Sequence, residues 1–175
     1  MAIIKILQYP DPKLKRVGKL VEKVDDHIKK IVDDMFETHY NTKDCAALAA
    51  TQLDFDVAYK ITVIDFSEEK NQPLCLINPE IIETEGEQYQ IEGCMSVFPN
   101  AICEKVKRAQ KIKVKALDRE GKPFEMEAEG FMAKCIQHEL DHLNGKVYLD
   151  RLSRLKRSRV AHKIQQFLKQ NYGPE

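Results

Sequence analysis

FMAKCIQHELDHLNG, residues 131–145, is the stretch on which the reading of this chain turns. Phe131, Cys135, His138 and His142 fall on one stripe, at offsets of four, three and four residues, which is the period of a helix with one face turned inward. The spacing predicts a helix over 131–144, stopped by Gly145. Two imidazoles one turn apart on an inward face are costly to bury unless something pairs with both, and a cation does so directly. Residues 138–142, HELDH, also fit the H-E-x-x-H pattern, in which two histidines hold a metal and the glutamate works on a water. The pattern occurs by chance in many proteins, so it stands against a plainer reading: two core histidines beside a surface Glu139.

A catalytic metal held by these histidines needs a third protein ligand and one open position. The glutamate-ligand zincins take a later Glu, but the only one after Glu139 is Glu175. The longer pattern H-E-x-x-H-x-x-G-x-x-H fits as far as Gly145 and then meets Tyr148 where it requires His. Asp150, just past the Gly145 turn, and His162, in a basic C-terminal segment, remain available. Cys135 shares the histidine stripe but lies seven residues from His142, a rise of ~10.5 Å. Three donors spread that far along one straight helix cannot meet at an ion with bonds of ~2.0–2.3 Å. The upstream candidate is Cys94 in IEGCMSVFP (91–99), where the competing reading is a small buried hydrophobe.

The rest of the chain supplies the frame. The 175 residues suit one domain, 1–175, long enough to bury roughly 70% of its unfolded surface. Formal charge is zero, so there is no global pull toward nucleic acid, and direct DNA binding is not expected. The charge is uneven, however. Residues 151–175 hold seven Lys/Arg against Glu175, leaving 21 basic and 27 acidic residues before them. The start, MAIIKILQYPDPKLKRV, has only a short apolar run before Pro10 and Pro12, and is not read as a signal peptide. No window reaches the ~20 apolar residues of a membrane helix. Five cysteines, at 45, 75, 94, 103 and 135, are odd in number and irregular in spacing, which suits free thiols in a reducing, cytoplasmic setting.

Apolar residues at three- and four-residue steps predict a helix over Val24–Tyr40. The runs AYKITVIDF (58–66) and PLCLINPEII (73–82) read as strands. KIKVKALD (111–118) and KPFEMEAEG (122–130) alternate around DREG, as a hairpin does. A last amphipathic helix is expected over roughly 153–171. The order gives an α+β fold with no βαβ alternation.

Three segments then carry a resemblance. LAATQ (48–52), EGCMS (92–96) and HELDH (138–142) are similar, in order, to the three motifs of the peptide deformylases: G-x-G-L-A-A-x-Q, E-G-C-L-S and H-E-x-D-H. The likeness continues through ITVIDFSEEKNQPLCLINPE (61–80), KIKVKALDREGKPFEMEAEG (111–130) and HLNGKVYLDRLS after the last motif. It implies an α+β fold with small antiparallel sheets packed around a central metal-binding helix, and helices toward each end. It implies removal of the formyl group from formylmethionyl peptides or nascent chains, releasing formate. It also implies one divalent metal, Fe(II) expected, with Ni(II), Co(II) or Zn(II) as substitutes.

Carried over residue by residue, the resemblance makes Cys94, His138 and His142 the metal ligands and leaves the fourth position to water. Glu139 is the general base, then the proton donor to the leaving amine. Gln52 and the backbone N–H of Met95 face the oxyanion. Asp141 is structural. Ala47, Leu48, Ile91, Glu92 and Gly93 are the substrate-contacting candidates. Thiolate-held Fe(II) is oxidisable, so activity with iron is expected to decay in air and to persist with nickel.

Two departures from the family pattern bear on substrate range. Cys45 and Ala47 stand where the first motif usually has glycines, and VFPNAICEK (97–105) carries an extra Phe98 and no Arg. A thiol at Cys45 either faces the site or is simply a small buried residue. The departures leave room for a diverged, non-catalytic or altered-specificity member that keeps the metal and binds peptides or ribosomes. In bacterial deformylases the C-terminal segment helps dock on the ribosome. Arg154, Lys156, Arg157, Arg159, Lys163 and Lys169 would make the phosphate contacts, against the plainer reading of a solvated helix.

Overall fold

The structure, a computed structural model, describes residues 2–173; Glu175, the acid counted in the basic tail, lies outside the described residues. The first helix, α1 (Asp26–Tyr40), begins where Asp25 accepts the amide of Ile28 at 3.0 Å, satisfying one of the donors a helix start leaves free. Among the described residues seven strands follow: β1 (Ala47–Ala49), β2 (Ile61–Ile64), β3 (Leu74–Glu85), β4 (Gln88–Glu92), β5 (Glu104–Arg108), β6 (Lys111–Leu117) and β7 (Pro123–Glu129). Helices α2 (Gly130–Leu143) and α3 (Arg154–Tyr172) complete the chain. The strands β1-β2-β3-β6-β7 form one antiparallel sheet in that order, and β4 pairs with β5 as a separate antiparallel ribbon.

The main sheet is a middle layer. Along β2, Ile61 and Val63 face α1 and join Ile28, Val32 and Met35. Ile64 faces the opposite way and joins Leu76, Val114 and Ala133, Ile136 and Leu140 of α2. A strand buried on both faces needs the unbroken apolar sequence ITVI rather than alternation. Strand β3 serves two partners: it pairs with β2 up to Ile77 and with β6 from there to Glu85. The handover falls at Asn78, which takes a left-handed φ of 51°, a conformation asparagine tolerates better than most residues. Its side chain donates to the Val21 carbonyl and accepts the Val21 amide, tying the N-terminal segment to the sheet.

The expected β6–β7 hairpin is present. Its turn has Gly121 at φ 85° and is closed by the Asp118 side chain, which accepts the amides of Glu120 and Lys122. Gly145 ends α2 for a steric as well as a conformational reason. A Cβ there would lie 2.5 Å from the Lys15 carbonyl oxygen. Helix α3 begins at Ser153 and buries Val160 and Ile164 against Val97, Val106, Tyr148 and Leu149. Among the described residues no helix is long and apolar enough to cross a membrane.

The sequence reading needs correction at several points. Strand β2 is shorter than the run 58–66, and β3 runs three residues beyond 82. Strands β1, β4 and β5 were not anticipated. The stripe drawn along α2 is also imperfect: Phe131 is 47% exposed, while Glu139, Leu140 and Asp141 are buried along with the histidines. A helix packed on several sides has no single buried face, so its apolar period understates its burial.

Candidate metal centre

Cys94 sits in the turn that leaves β4, and His138 and His142 sit one turn apart on α2. The fold brings the three together from parts of the chain more than forty residues apart. The Cys94 Sγ lies 3.2 Å from His142 Nε2, which is 3.2 Å from His138 Nε2. All three donor atoms lie within 4.8 Å of one another, and all three residues are buried. Two nitrogens bound at ~2.0–2.1 Å in a tetrahedron stand about 3.4 Å apart, so the donor set fits a single small divalent ion. His142 is held well below its ordinary pKa by burial, with smaller contributions from His138 and Arg108, and so serves as a neutral donor.

Neither other candidate ligand joins this cluster. Asp150 accepts the Val147 amide and caps the short turn after α2, and His162 is exposed on α3.

Behind the donors runs a buried chain of charges that sequence reasoning did not find. His138 Nδ1 lies 2.8 Å from Glu92 Oε1, so a proton on Nδ1 leaves the Nε2 lone pair aimed at the other donors. Glu92 in turn accepts from Arg108 twice, at 2.8 and 2.9 Å. Arg108 reaches on to Asp141 at 2.6 Å, and Asp141 also accepts two bonds from Arg151. Burial alone would raise the Glu92 pKa; Arg108 and His138 outweigh it and bring it down to about 2. Asp141 is likewise held below its usual range by Arg151 and Arg108 against the effect of burial. Glu92 was expected to touch substrate. It borders the cavity, but both its oxygens are committed to Arg108 and His138, so it orients the His138 ring instead.

In front of the donors lies a cavity of about 300 Å³ that opens to solvent. Glu139, Gln52, Met95, Ala47, Ile91 and Gly93 all line it. Glu139 is only 3% exposed, and its Oε2 has no hydrogen-bond partner among the described residues. Burial raises its pKa to about 7, with the charges of His138 and Arg108 pulling against that rise. The plainer picture of a surface glutamate is therefore wrong. Gln52 is fixed by a bond from the Ala49 amide to its Oε1 at 2.9 Å, which points its NH2 at Ser96 Oγ (3.1 Å) and Cys94 Sγ (3.7 Å).

Two first-motif residues fall elsewhere. Leu48 is fully buried in the α1 core, so its side chain is not available to substrate. Cys45 is also a core residue; its thiol is directed to the Ala47 carbonyl, and burial pushes its pKa up to about 12. Nothing in the sequence singles out Arg108, and Tyr148 enters it only as the residue standing where the longer pattern requires His. The Tyr148 ring stacks on His138 with centroids 6.1 Å apart.

A buried Cys–His–His donor set, open on one side to a cavity that holds an unpaired carboxylate, defines a mononuclear metallohydrolase site on an α+β scaffold. Comparisons narrow the class. The family model of polypeptide deformylase matches residues 3–158. The chain is 63% identical to peptide deformylase 1 of Coxiella burnetii over 162 residues, 93% of this chain and 95% of that protein. It is 50% identical to the Chromobacterium violaceum peptide deformylase, over 98% of this chain and 99% of its relative. Among solved structures, a peptide deformylase from Legionella pneumophila superposes with a TM-score of 0.87 at 42% identity, covering 99% of this chain and 100% of that one. One from Ehrlichia chaffeensis, in complex with actinonin, gives 0.85 at 37% identity, with coverages of 98% and 99%. The chain belongs to the polypeptide deformylase family.

Proposed function

We propose that this chain removes the formyl group from N-formylmethionyl peptides and nascent proteins, releasing formate, with one divalent ion held by Cys94, His138 and His142. Fe(II) is the expected ion, and Ni(II), Co(II) or Zn(II) can replace it. Bound there, the cation supplies a Lewis acid that lowers the pKa of water toward neutrality. Glu139 takes the proton from the attacking water and returns it to the leaving amine. Burial works against the charged carboxylate, so Glu139 can hold the proton it takes and give it up again, which suits it to both steps. Gln52 and the Met95 backbone N–H stabilise the oxyanion; the bond from Ala49 fixes which end of the Gln52 amide faces the cavity. Ala47, Ile91 and Gly93 contact the peptide. Docking on the ribosome is left to Arg154, Arg157, Arg159, Lys163 and Lys169. Lys156 is paired with Glu104 and donates to Tyr89, whereas the Arg157 bonds to the Leu149 and Asp150 carbonyls leave its charge uncancelled. The site of action is the cytoplasm.

The observation that carries the reading is the unpaired, buried Glu139 carboxylate beside the three donors. A purely structural metal site is usually closed by a fourth ligand and has no use for such a group. The test is formate release from a short formylmethionyl peptide by protein purified without oxygen and loaded with Fe(II) or Ni(II). Glu139→Gln is expected to retain metal and lose ~10²–10⁴-fold in turnover. Wild-type protein that binds metal and releases no formate would return the non-catalytic reading.

A further inference from the structure

At the mouth of the cavity one lysine is held in an unusual position. Lys134 lies on α2, and its Nζ donates to the backbone carbonyl of Ile91 at 3.1 Å, reaching across to β4. The same ammonium stands 4.8 Å from the centroid of the Phe131 ring. Lys134 lines the cavity, yet it forms no ion pair among the described residues. An ammonium carries three protons, and the Ile91 carbonyl uses one. Lys43 also lines the cavity and likewise forms no ion pair among the described residues; of the two, Lys134 is the one that the Ile91 carbonyl and the Phe131 ring hold in place.

Position says what that charge meets. Lys134 precedes the metal ligand His138 by four residues, so it stands on the same side of α2, about 6 Å farther out. An extended peptide advances ~3.3 Å per residue. A substrate that runs outward along α2, with its reacting carbonyl at the metal centre, would carry the one or two residues after its methionine past the Lys134 ammonium. We propose that Lys134 is a specificity-determining residue that favours formylmethionyl peptides with an acidic side chain in those positions. The inference rests on the deformylase reading of the site. The contacts to Ile91 and Phe131 hold the ammonium in place before substrate arrives, so less side-chain freedom is lost when a carboxylate binds.

The test uses metal-loaded full-length protein and amidated peptides, so that no terminal carboxylate competes. kcat/KM is compared for formyl-Met-Glu-Ala and formyl-Met-Ala-Glu amides against the same peptides with Gln for Glu. The free acid of a neutral peptide, run in parallel, shows whether a terminal carboxylate can take the same place. A partly exposed ion pair predicts a wild-type preference for Glu over Gln of about three-fold in at least one position, weakened at about 0.5 M salt. Lys134→Met is expected to abolish the preference and Lys134→Glu to reverse it. Lys115→Glu, on the far part of the sheet, makes the same change in net charge and should leave the ratio alone. An equal Glu-to-Gln ratio in wild type and Lys134→Glu overturns the proposal. If no peptide is turned over, the deformylase reading fails. Equilibrium binding of the same peptides to wild type and Lys134→Glu then decides the role of Lys134 by the same ratios.

Discussion

The floor of the cavity and its mouth lie one turn apart on α2, yet they are built differently. Behind the floor, Glu92, Arg108 and Asp141 are buried together, and each charge is answered by another within 2.9 Å. At the mouth, Ile91 is 58% exposed and Phe131 47% exposed, and the Phe131 ring meets Phe66 edge-on at 4.7 Å. In a dry, low-dielectric floor a misplaced charge is costly, so geometry is enforced there by the penalty for breaking any one pair. At the mouth, water can take over lost contacts, so side chains are free to differ without endangering the fold. The departures from the family pattern are spread over both environments: Ala47, Pro99 and Asn100 border the cavity, Cys45 lies in the core under α1, and Phe98 packs on Phe167 of α3, while Cys94, His138, His142 and Glu139 match the motifs.

The comparison breaks if the floor tolerates the loss of a charge. Arg108→Met is the sharpest attempt, because it leaves Glu92 and Asp141 buried with fewer partners. Asp141 keeps Arg151, so Glu92 bears most of the loss. Removing one member of a buried ionic network costs ~3–5 kcal/mol. Urea unfolding of the metal-loaded protein should show a loss of that size. A change below about 1 kcal/mol would mean that the network is dispensable and that His138 is oriented by something else.

How much of this was legible in sequence depends on where the signal lies. The three candidate donors and Glu139 could be singled out because the residue types and helical spacing of HELDH carry chemistry within a few positions, and the family motifs supported Cys94; the structure brings the three donors together. The helices and the β6–β7 hairpin have strong periods. By contrast, β4 (QYQIE) and β5 (EKVKR) turn Gln88, Glu92 and Arg108 inward beside Val106, so their sequences lack the apolar alternation that marks a half-buried strand. Missing that ribbon hid Arg108, whose partners Glu92 and Asp141 are 16 and 33 residues away. Leu48 was misplaced for a related reason: a three-residue strand has no measurable period, so nothing in LAA tells which side chain faces the cleft.

A second, smaller perturbation falls at the residue before Phe66. Asp65 follows β2 and organises the loop that carries Phe66. It accepts from Tyr40 Oη at 2.7 Å, from the amide and hydroxyl of Ser67, and from the Gln72 amide. Burial works to raise its pKa, but the Ser67 and Tyr40 donors outweigh it and hold the value below the ordinary 3.8. The folded value is depressed, so the ionised form stabilises the fold. That contribution is complete above pH 3.8 and disappears as the pH falls through the lower folded value. Asp65→Asn should cost ~1.5–3 kcal/mol at neutral pH, and the difference from wild type should shrink in acid below 3.8. A difference that stays constant from neutral to strongly acid pH would remove the carboxylate's charge from the account.

The gentlest test is at the mouth itself. Phe131→Ala removes a ring that packs on Phe66 and under the Lys134 ammonium, without opening a cavity in the core. An aromatic pair contributes ~0.5–1.5 kcal/mol beyond its buried area, and half of this ring is already in water, so stability should fall by about 1 kcal/mol or less. The catalytic geometry rests on the floor, so kcat should hold while KM for formylmethionyl peptides rises a few-fold. Steady-state kinetics separates the two parameters. A fall in kcat at unchanged KM would show that the mouth sets the geometry of the floor, and the division drawn between them would not survive it.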